Sequence, residues 1–253
     1  MSLKENAETA ESAPMRLQVF LAHAGIASRR AAEKLIAEGH VTVNGQQVTI
    51  PGTKVLPGSK VCFDGKEVKT EIRLLYLALH KPPLFISSSS DPQGRRLALE
   101  LLPPCPERLY NIGRLDYLSS GLLLFTNDGQ FAARIGHPSA EIEKEYLVES
   151  TVPIPDRMVE EFARGLIIDG VLYRAGSVKK TGKKSLTVVL VEGKNREIRR
   201  VFSHFHLHPE RIHRIRMGPV QLGELGEGES RPLTAAELNS FRVGKGEKIG
   251  NSH

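Results

Sequence analysis

NIGRLDYLSSGLLLFTNDG, residues 111–129, is the stretch from which the rest of the chain can be read. One acid, Asp116, follows Arg114 and precedes Ser119-Ser120-Gly121, a polar run that reads as a turn. The apolar run Leu122–Phe125 then reads as a buried strand, closed by the turn signal Asn127-Asp128-Gly129. A carboxylate at the mouth of such a strand is held by a rigid element, which suits a catalytic group. A lone Asp beside Ser and Gly is more often a turn residue, so its role is decided by the surrounding chain.

On the N-terminal side, Lys66–Arg73 is charged and rich in turn formers, and the domain boundary is placed there. Upstream, Leu74–Leu79 reads as a strand that leaves the sheet at Lys81-Pro82-Pro83. Phe85-Ile86 reads as a short strand, Ser87–Pro92 as a loop, and Arg95–Leu102 as a short helix ended by Pro103-Pro104. Downstream, Gln130–Gly136 reads as a helix, and Lys144–Thr151 alternates apolar and polar as a half-buried strand does. Asp156–Arg164 places Met158, Val159 and Phe162 on one helical face, and Gly165 ends it. Val171–Val178 and Ser185–Val191 read as strands. Helices and strands mix without strict βαβ alternation, so the fold expected is α+β with a largely antiparallel sheet.

Residues 192–216, EGKNREIRRVFSHFHLHPERIHRIR, are strongly basic. From Lys194 to Arg216, the cations 194, 196, 199, 200, 211, 214 and 216 face two acids, Glu197 and Glu210. Ile198, Val201, Phe202 and Phe205 fall at helical spacing and predict one buried face. Arg196 and Arg200 then point away from it, toward solvent or phosphate, while Arg199 sits at its border and needs an anionic partner, for which Asp116 is a candidate. His204, His206 and His208 diverge at i+2 spacing on a helix, so no metal site is expected from them.

The N-terminal part reads as a separate unit, residues 15–69. Arg16–His23 reads as a helix stopped by Gly25, and Ser28 as the N-cap of a second helix, Arg29–Glu38, stopped by Gly39. Ala31, Ala32, Leu35 and Ile36 are expected to be buried together. Val41–Val43 meets Asn44-Gly45, a strong hairpin signal, and Gln46–Thr49 returns. Arg29 and Arg30 stand beside the free N–H groups of the second helix, an arrangement that binds phosphate; Arg16, Lys34 and His40 extend the basic patch.

The 253 residues are 40% hydrophobic with a formal charge of +6, ordinary for a globular protein with a polyanionic partner. No apolar run approaches a membrane span, and the polar start, MSLKENAETAESAP, has no signal-peptide core; residues 1–14 and 244–253 read as tails and the protein as cytoplasmic. Cys62 and Cys105 form no CxxC pair, so two reduced, partly buried thiols are expected. With no Trp and few aromatics, a wide base-stacking platform is excluded.

MRLQVFLAHAGIASRRAAEKLIAEGHVTVNGQQV resembles the RNA-binding module of small-subunit ribosomal protein S-four. The resemblance implies recognition of folded RNA by shape and phosphate contact. GRLD with SSGLLLFTNDG, then KEYLV, then EGKNREIRRVF with RIRMGPVQLGELGEGESRPLT, are similar to the pseudouridine synthases of ribosomal RNA. Together with the S-four-like module they resemble the branch that modifies single uridines in small- or large-subunit rRNA. Ser119 stands where that family has Thr, Glu197 where it has Gln, and Leu84 where a Gly is frequent after Lys-Pro.

This resemblance implies a mixed, mainly antiparallel catalytic domain over residues 74–243 with a central cleft. It implies Asp116 as the essential catalyst, Tyr146 stacked on a flipped base, Arg199 paired with the aspartate, and Arg114 near the vacated base position. RNA contacts are expected from Arg16, Ser28, Arg29, Arg30, Lys34, Arg114, Lys194, Arg196 and Arg200. Uridine isomerisation involves no net redox change and no hydrolysis, so no cofactor and no metal are expected. Attack on the sugar, addition to ring carbon 6 and abstraction of a sugar proton all need one carboxylate, and Arg199 would favour its charged form. The alternatives are a non-catalytic rRNA-binding or ribosome-assembly protein, and a glycosidase-like hydrolase, which would normally use two carboxylates. A monomer is expected, since no heptad pattern appears.

Overall fold

The computed structural model describes residues 14–68 and 73–243; the tails read at either end lie outside the described residues, Pro14 excepted. The chain divides into two compact units: the first runs to Leu74 and also takes in Pro104–Arg108, and the second holds Leu75–Pro103 and the chain from Leu109 onward. The first contains β1 (Met15–Arg16), α1 (Leu17–His23), α2 (Arg29–Ala37), β2 (Val41–Val43), β3 (Gln46–Gln47), β4 (Lys54–Val55), β5 (Val61–Phe63) and β6 (Lys66–Val68). Ser28 caps α2 as its sequence predicts, its Oγ accepting from the Ala31 N–H at 3.2 Å. Asn44 and Gly45 are both left-handed, at φ 51° and 81°, and turn β2 into β3. Leu17, Leu21, Ala32, Ile36, Val41, Val55 and Val61 make this unit's core.

Two expectations fail in this unit. Ala31 is exposed, because it lies about 100° around the helix from Ala32, which with Ile36 forms the buried line. Lys66–Val68, read as the start of a charged linker, pairs with β5 as an edge strand after the Asp64-Gly65 turn. Its charges suit an edge strand with one side open to water.

The second unit is built on a nine-stranded sheet. Its elements are β7 (Tyr76–Lys81), β8 (Tyr110–Ile112), β9 (Ser120–Thr126), α3 (Gly129–Gly136), β10 (Lys144–Ser150), α4 (Asp156–Arg164), β11 (Leu166–Ile168), β12 (Val171–Tyr173), β13 (Ser177–Gly182), β14 (Ser185–Leu190), α5 (Glu197–His204), β15 (Pro209–Met217), β16 (Val220–Gln221), β17 (Ser230–Pro232) and α6 (Ala235–Val243). The order across the sheet is β13-β14-β10-β15-β9-β7-β17, with β16 on β15 and β8 on β9; β11 and β12 form a separate hairpin. Every strand pair in the sheet is antiparallel except β9 with β15. The fold is therefore α+β with a mixed, mainly antiparallel sheet.

β9 is buried from end to end. Leu123 and Phe125 join one core, with Leu79, Tyr146, Val148, Met158, Phe162, Val201 and Phe202. Leu122 and Leu124 join the other, with Ala78, Ile112, Phe131, Ile135 and Phe241. A strand that feeds two cores reads as an unbroken apolar run, and each of these side chains contributes about 1.5–3 kcal/mol by its burial.

Local readings are corrected at several places. Ser119-Ser120-Gly121 is not an exposed turn: Ser119 and Ser120 are buried, and β9 begins at Ser120. Asn127-Asp128-Gly129, read as a turn, is the start of the helix expected after it: the Asp128 carboxylate caps α3 by accepting from the Gln130 and Phe131 N–H groups. Arg95–Leu102 shrinks to one 3₁₀ turn, Ala98–Leu101, and Phe85-Ile86 to a single bridge between Ile86 and Leu97. Val171–Val178 is interrupted at residues 174–176, and β11 before it pairs back on β12. The basic segment 192–216 is helical only over α5; its second half is the central strand β15. Of the two thiols, Cys62 is half-buried but Cys105 is exposed.

Candidate active site

Asp116 lies in the loop between β8 and β9, and that loop is pinned by hydrogen bonds on every side. Ser87 Oγ donates to the Leu115 carbonyl at 3.0 Å and accepts from the Leu115 N–H at 3.2 Å. The Leu84 N–H donates to the Tyr117 carbonyl at 2.7 Å, and the Ser119 N–H to the Asp116 carbonyl at 3.0 Å. Beneath them, the Lys81 ammonium donates to the Ser119 and Pro82 carbonyls, both at 2.7 Å. Arg214, from β15, donates through Nε to the Leu122 carbonyl at 2.6 Å and through Nη1 to the Arg114 carbonyl at 3.4 Å. The loop that carries the acid is thus tied to β7, β9 and β15 together.

Arg199, in the first turn of α5, reaches this loop. Its Nε is 3.5 Å from Asp116 Oδ2, and its Nη2 is 3.5 Å from Ser119 Oγ. The Arg199 side chain keeps 17% of its exposure and that of Asp116 39%, so the acid is open to a ligand while its partner is largely covered. α5 can deliver the guanidinium because Ile198, Val201 and Phe202 bury its other face. The pairing of Asp116 with Arg199, a candidate on sequence alone, is present. Both line a small cleft of about 90 Å³ with Arg114, Tyr146, Lys194 and Arg196.

Tyr146 stands on β10 opposite Arg214 of β15, and its ring lies 6.0 Å from the Arg214 guanidinium carbon. The hydrophobic core holds it, leaving 8% of its surface open. Arg196 is exposed, with a left-handed backbone at φ 51° just before α5. Lys194 is ion-paired with Glu192, and Arg200 sits 3.8 Å from Asp169 on the hairpin. Arg114 is exposed at the cleft. In the first unit Arg16, Arg29, Arg30 and Lys34 are exposed, and Ser28 is occupied as the helix cap.

Lys81, Ser87, Ser119, Arg214 and His213 escaped the sequence reading. Lys81 and Arg214 are the largest fully buried side chains among the described residues, and both bond to carbonyls of one loop. Burial and the neighbouring Arg214 charge bring the Lys81 ammonium down to about 8, against the pull of Asp116 and Glu227. Arg214 Nη2 is buried with no hydrogen-bond partner among the described residues. His213 shares a 2.8 Å hydrogen bond with Ser120 across the parallel pair, and burial lowers its imidazole to about 4. Glu197 is buried; its carboxylate accepts from the Lys194 N–H at 2.8 Å, and burial pushes its pKa up. A charged residue within an apolar strand segment was the available signal for Lys81 and Arg214.

The arrangement offers one accessible carboxylate, a guanidinium beside it, a buried aromatic wall and a cationic rim. It suits an anionic polymer carrying a flat heterocycle, and it provides a single acid for chemistry on it. Known proteins share this organisation along the chain. Residues 15–61 match the family model of the S4 domain, and residues 75–204 that of RNA pseudouridylate synthase. An uncharacterized RNA pseudouridine synthase of Borreliella burgdorferi is 40% identical over 233 residues, 90% of this chain and 93% of the relative. Ribosomal large subunit pseudouridine synthase B of Bacillus subtilis is 37% identical over 236 residues, 90% of this chain and 96% of the relative. A crystal structure of a pseudouridylate synthase superimposes with a TM-score of 0.65 at 28% identity, covering 90% of this chain and 99% of that one. The chain thus belongs to the RNA pseudouridine synthases, enzymes that isomerise uridine to pseudouridine within RNA.

Proposed function

We propose that Asp116 carries this isomerisation on a uridine of ribosomal RNA that has been flipped out of its stack. The observation that supports it most is the Asp116–Arg199 pair, 3.5 Å apart in a cleft walled by Tyr146. The reaction breaks the bond from ring nitrogen 1 to the sugar and makes one from ring carbon 5 to the same sugar carbon. The proton on carbon 5 leaves, and nitrogen 1 gains one. Asp116 is the group that reacts, Arg199 fixes its orientation, and Tyr146 holds the freed ring against the sugar. A base inside a duplex cannot reach such a cleft, and its extrusion costs about a few kcal/mol, offset by pocket contacts.

Arg114, Lys194, Arg196 and Arg200 ring or flank the cleft and neutralise the phosphates beside the target. Arg16, Ser28, Arg29, Arg30 and Lys34 hold RNA through the second helix of the S4 domain and its free N–H groups. Ribosomal RNA is the substrate favoured by the name of the Bacillus subtilis relative. The enzyme works as a cytoplasmic monomer in this reading. Carbodiimide primer extension on rRNA from strains with and without the gene tests it. One pseudouridine stop is expected to vanish on deletion and return with the wild-type gene; identical maps in both strains would remove ribosomal RNA as the substrate.

A further inference from the structure

Three large apolar side chains face solvent on and beside the loop that carries Asp116. Leu84 is 54% exposed, Tyr117 37% and Leu118 58%, directly in front of a strand that is wholly buried. Tyr117 and Leu118 follow Asp116 in the chain, and the 2.7 Å bond from the Leu84 N–H to the Tyr117 carbonyl brings Leu84 to the same place. Leu84 has φ 66°, a left-handed backbone that a bulky side chain rarely adopts and that glycine takes without strain. It belongs to neither hydrophobic core of its unit, and neither does Leu118. A strained, exposed leucine that packs into no core is the kind of outlier that points to function.

The surroundings indicate what the patch meets. The Arg95 guanidinium lies 5.8 Å from the centre of the Tyr117 ring, and Asp91 holds its edge at 2.7 and 3.0 Å. Its Nε and Nη2 are therefore committed to Asp91, which holds the guanidinium in place beside the ring. Arg96 lies similarly over Phe85, at 4.3 Å. Exposed apolar and aromatic faces flanked by guanidinium groups fit unstacked nucleobases and their phosphates.

We propose that Leu84, Tyr117 and Leu118 form an apolar lip that holds the nucleobase next to the extruded uridine. The inference rests on the reading that Asp116 acts on a flipped uridine of RNA. Extrusion leaves the neighbouring base with an open face, and a lip one or two residues from the acid covers that face. It keeps the gap from closing while Asp116 works. The lip also explains why a chain with few aromatics needs no wide platform: one base, not a run of bases, is held.

The test uses the full-length enzyme on rRNA from a strain lacking the gene. Pseudouridine formation is followed at saturating enzyme, with filter binding over a salt series and thermal melting. Tyr117→Ala and Leu118→Ala should each slow modification about tenfold, the loss of one base-stacking contact. Tyr117→Phe should stay near the wild-type rate, since the ring and not the hydroxyl is used. The salt slope of binding should be unchanged in all three, because no phosphate contact is lost. Leu84→Gly should melt at or above the wild-type temperature yet modify more slowly. Wild-type rates in Leu118→Ala and Leu84→Gly would overturn the lip, as would a Leu84→Gly protein that loses melting temperature and rate together. A wild-type enzyme that forms no pseudouridine on this RNA would remove the lip with the reading beneath it.

Discussion

At the scale of single residues, charge is placed where it can be used and kept from where it cannot. Asp116 and Arg199 meet at an open cleft, whereas His213 is buried in the sheet, 6% exposed, and is held neutral. Burial is the main cause of its lowered pKa, with the charges of Arg211 and His80 adding to it. The native imidazole titrates at about 4, while in the unfolded chain it takes a proton near its ordinary value of 6.5. Between these values the unfolded state binds the extra proton, so stability falls as pH drops through the window, by up to about 3 kcal/mol in all. Urea midpoints at pH 7 and pH 4.5 should therefore differ more for the wild type than for His213→Gln; equal differences would show that His213 contributes nothing to acid unfolding. That Asp116, Tyr146 and Arg199 share a cleft was legible in the sequence because each sits in a short motif whose residues are neighbours in the chain. Lys81 and Arg214 were not. Their meaning lies in carbonyls of residues 38 and 92 positions away in the chain, and a local reading places both among surface cations.

At the scale of elements, the strand behind Asp116 is fixed by its one parallel neighbour. His213 pairs with Ser120 and Arg214 with Gly121 in that register. Gly121 has φ 105°, and a Cβ on it would stand 2.2 Å from the Arg214 carbonyl oxygen and 2.5 Å from its amide nitrogen. The glycine is thus required by the close approach of a second backbone, not by the turn that its neighbours Ser119 and Ser120 suggest. Gly121→Ala should destabilise the protein by at least about 3 kcal/mol, from backbone clash and strain together. Denaturant unfolding measures this, and a loss below about 1 kcal/mol would mean that β9 and β15 can separate at little cost. The same pairing explains what sequence patterns missed. Periodicity identified α2, α4 and the buried face of α5, because helix contacts are local. It also found the apolar run of β9. It could not show that residues 209–217 are a central strand, since burial there is dictated by partners in β9 and β10 and follows no clean alternation. The helix after Asp128 was legible, but not its cap, because Asn-Asp-Gly is a turn signal as well as a helix start.

At the scale of the whole molecule, the work is divided between two units with separate cores. The first contributes exposed cations at a capped helix start, and the second a cleft with one accessible carboxylate. The enzyme class was legible because several ordered motifs occur together along most of the chain, which none of them would establish alone. On the proposed function, affinity for RNA comes from many phosphate contacts spread over both units, while the chemistry comes from a single acid. Asp116→Asn separates the two most directly. The amide is nearly isosteric with the carboxylate, and the loop's backbone anchors do not involve that side chain. Wild type and Asp116→Asn should bind rRNA from the deletion strain with affinities within about threefold and parallel salt slopes, since no phosphate contact changes. The wild type should form pseudouridine there and the variant none at any enzyme concentration; modification by Asp116→Asn at the wild-type rate would contradict the assignment of the chemistry to this acid.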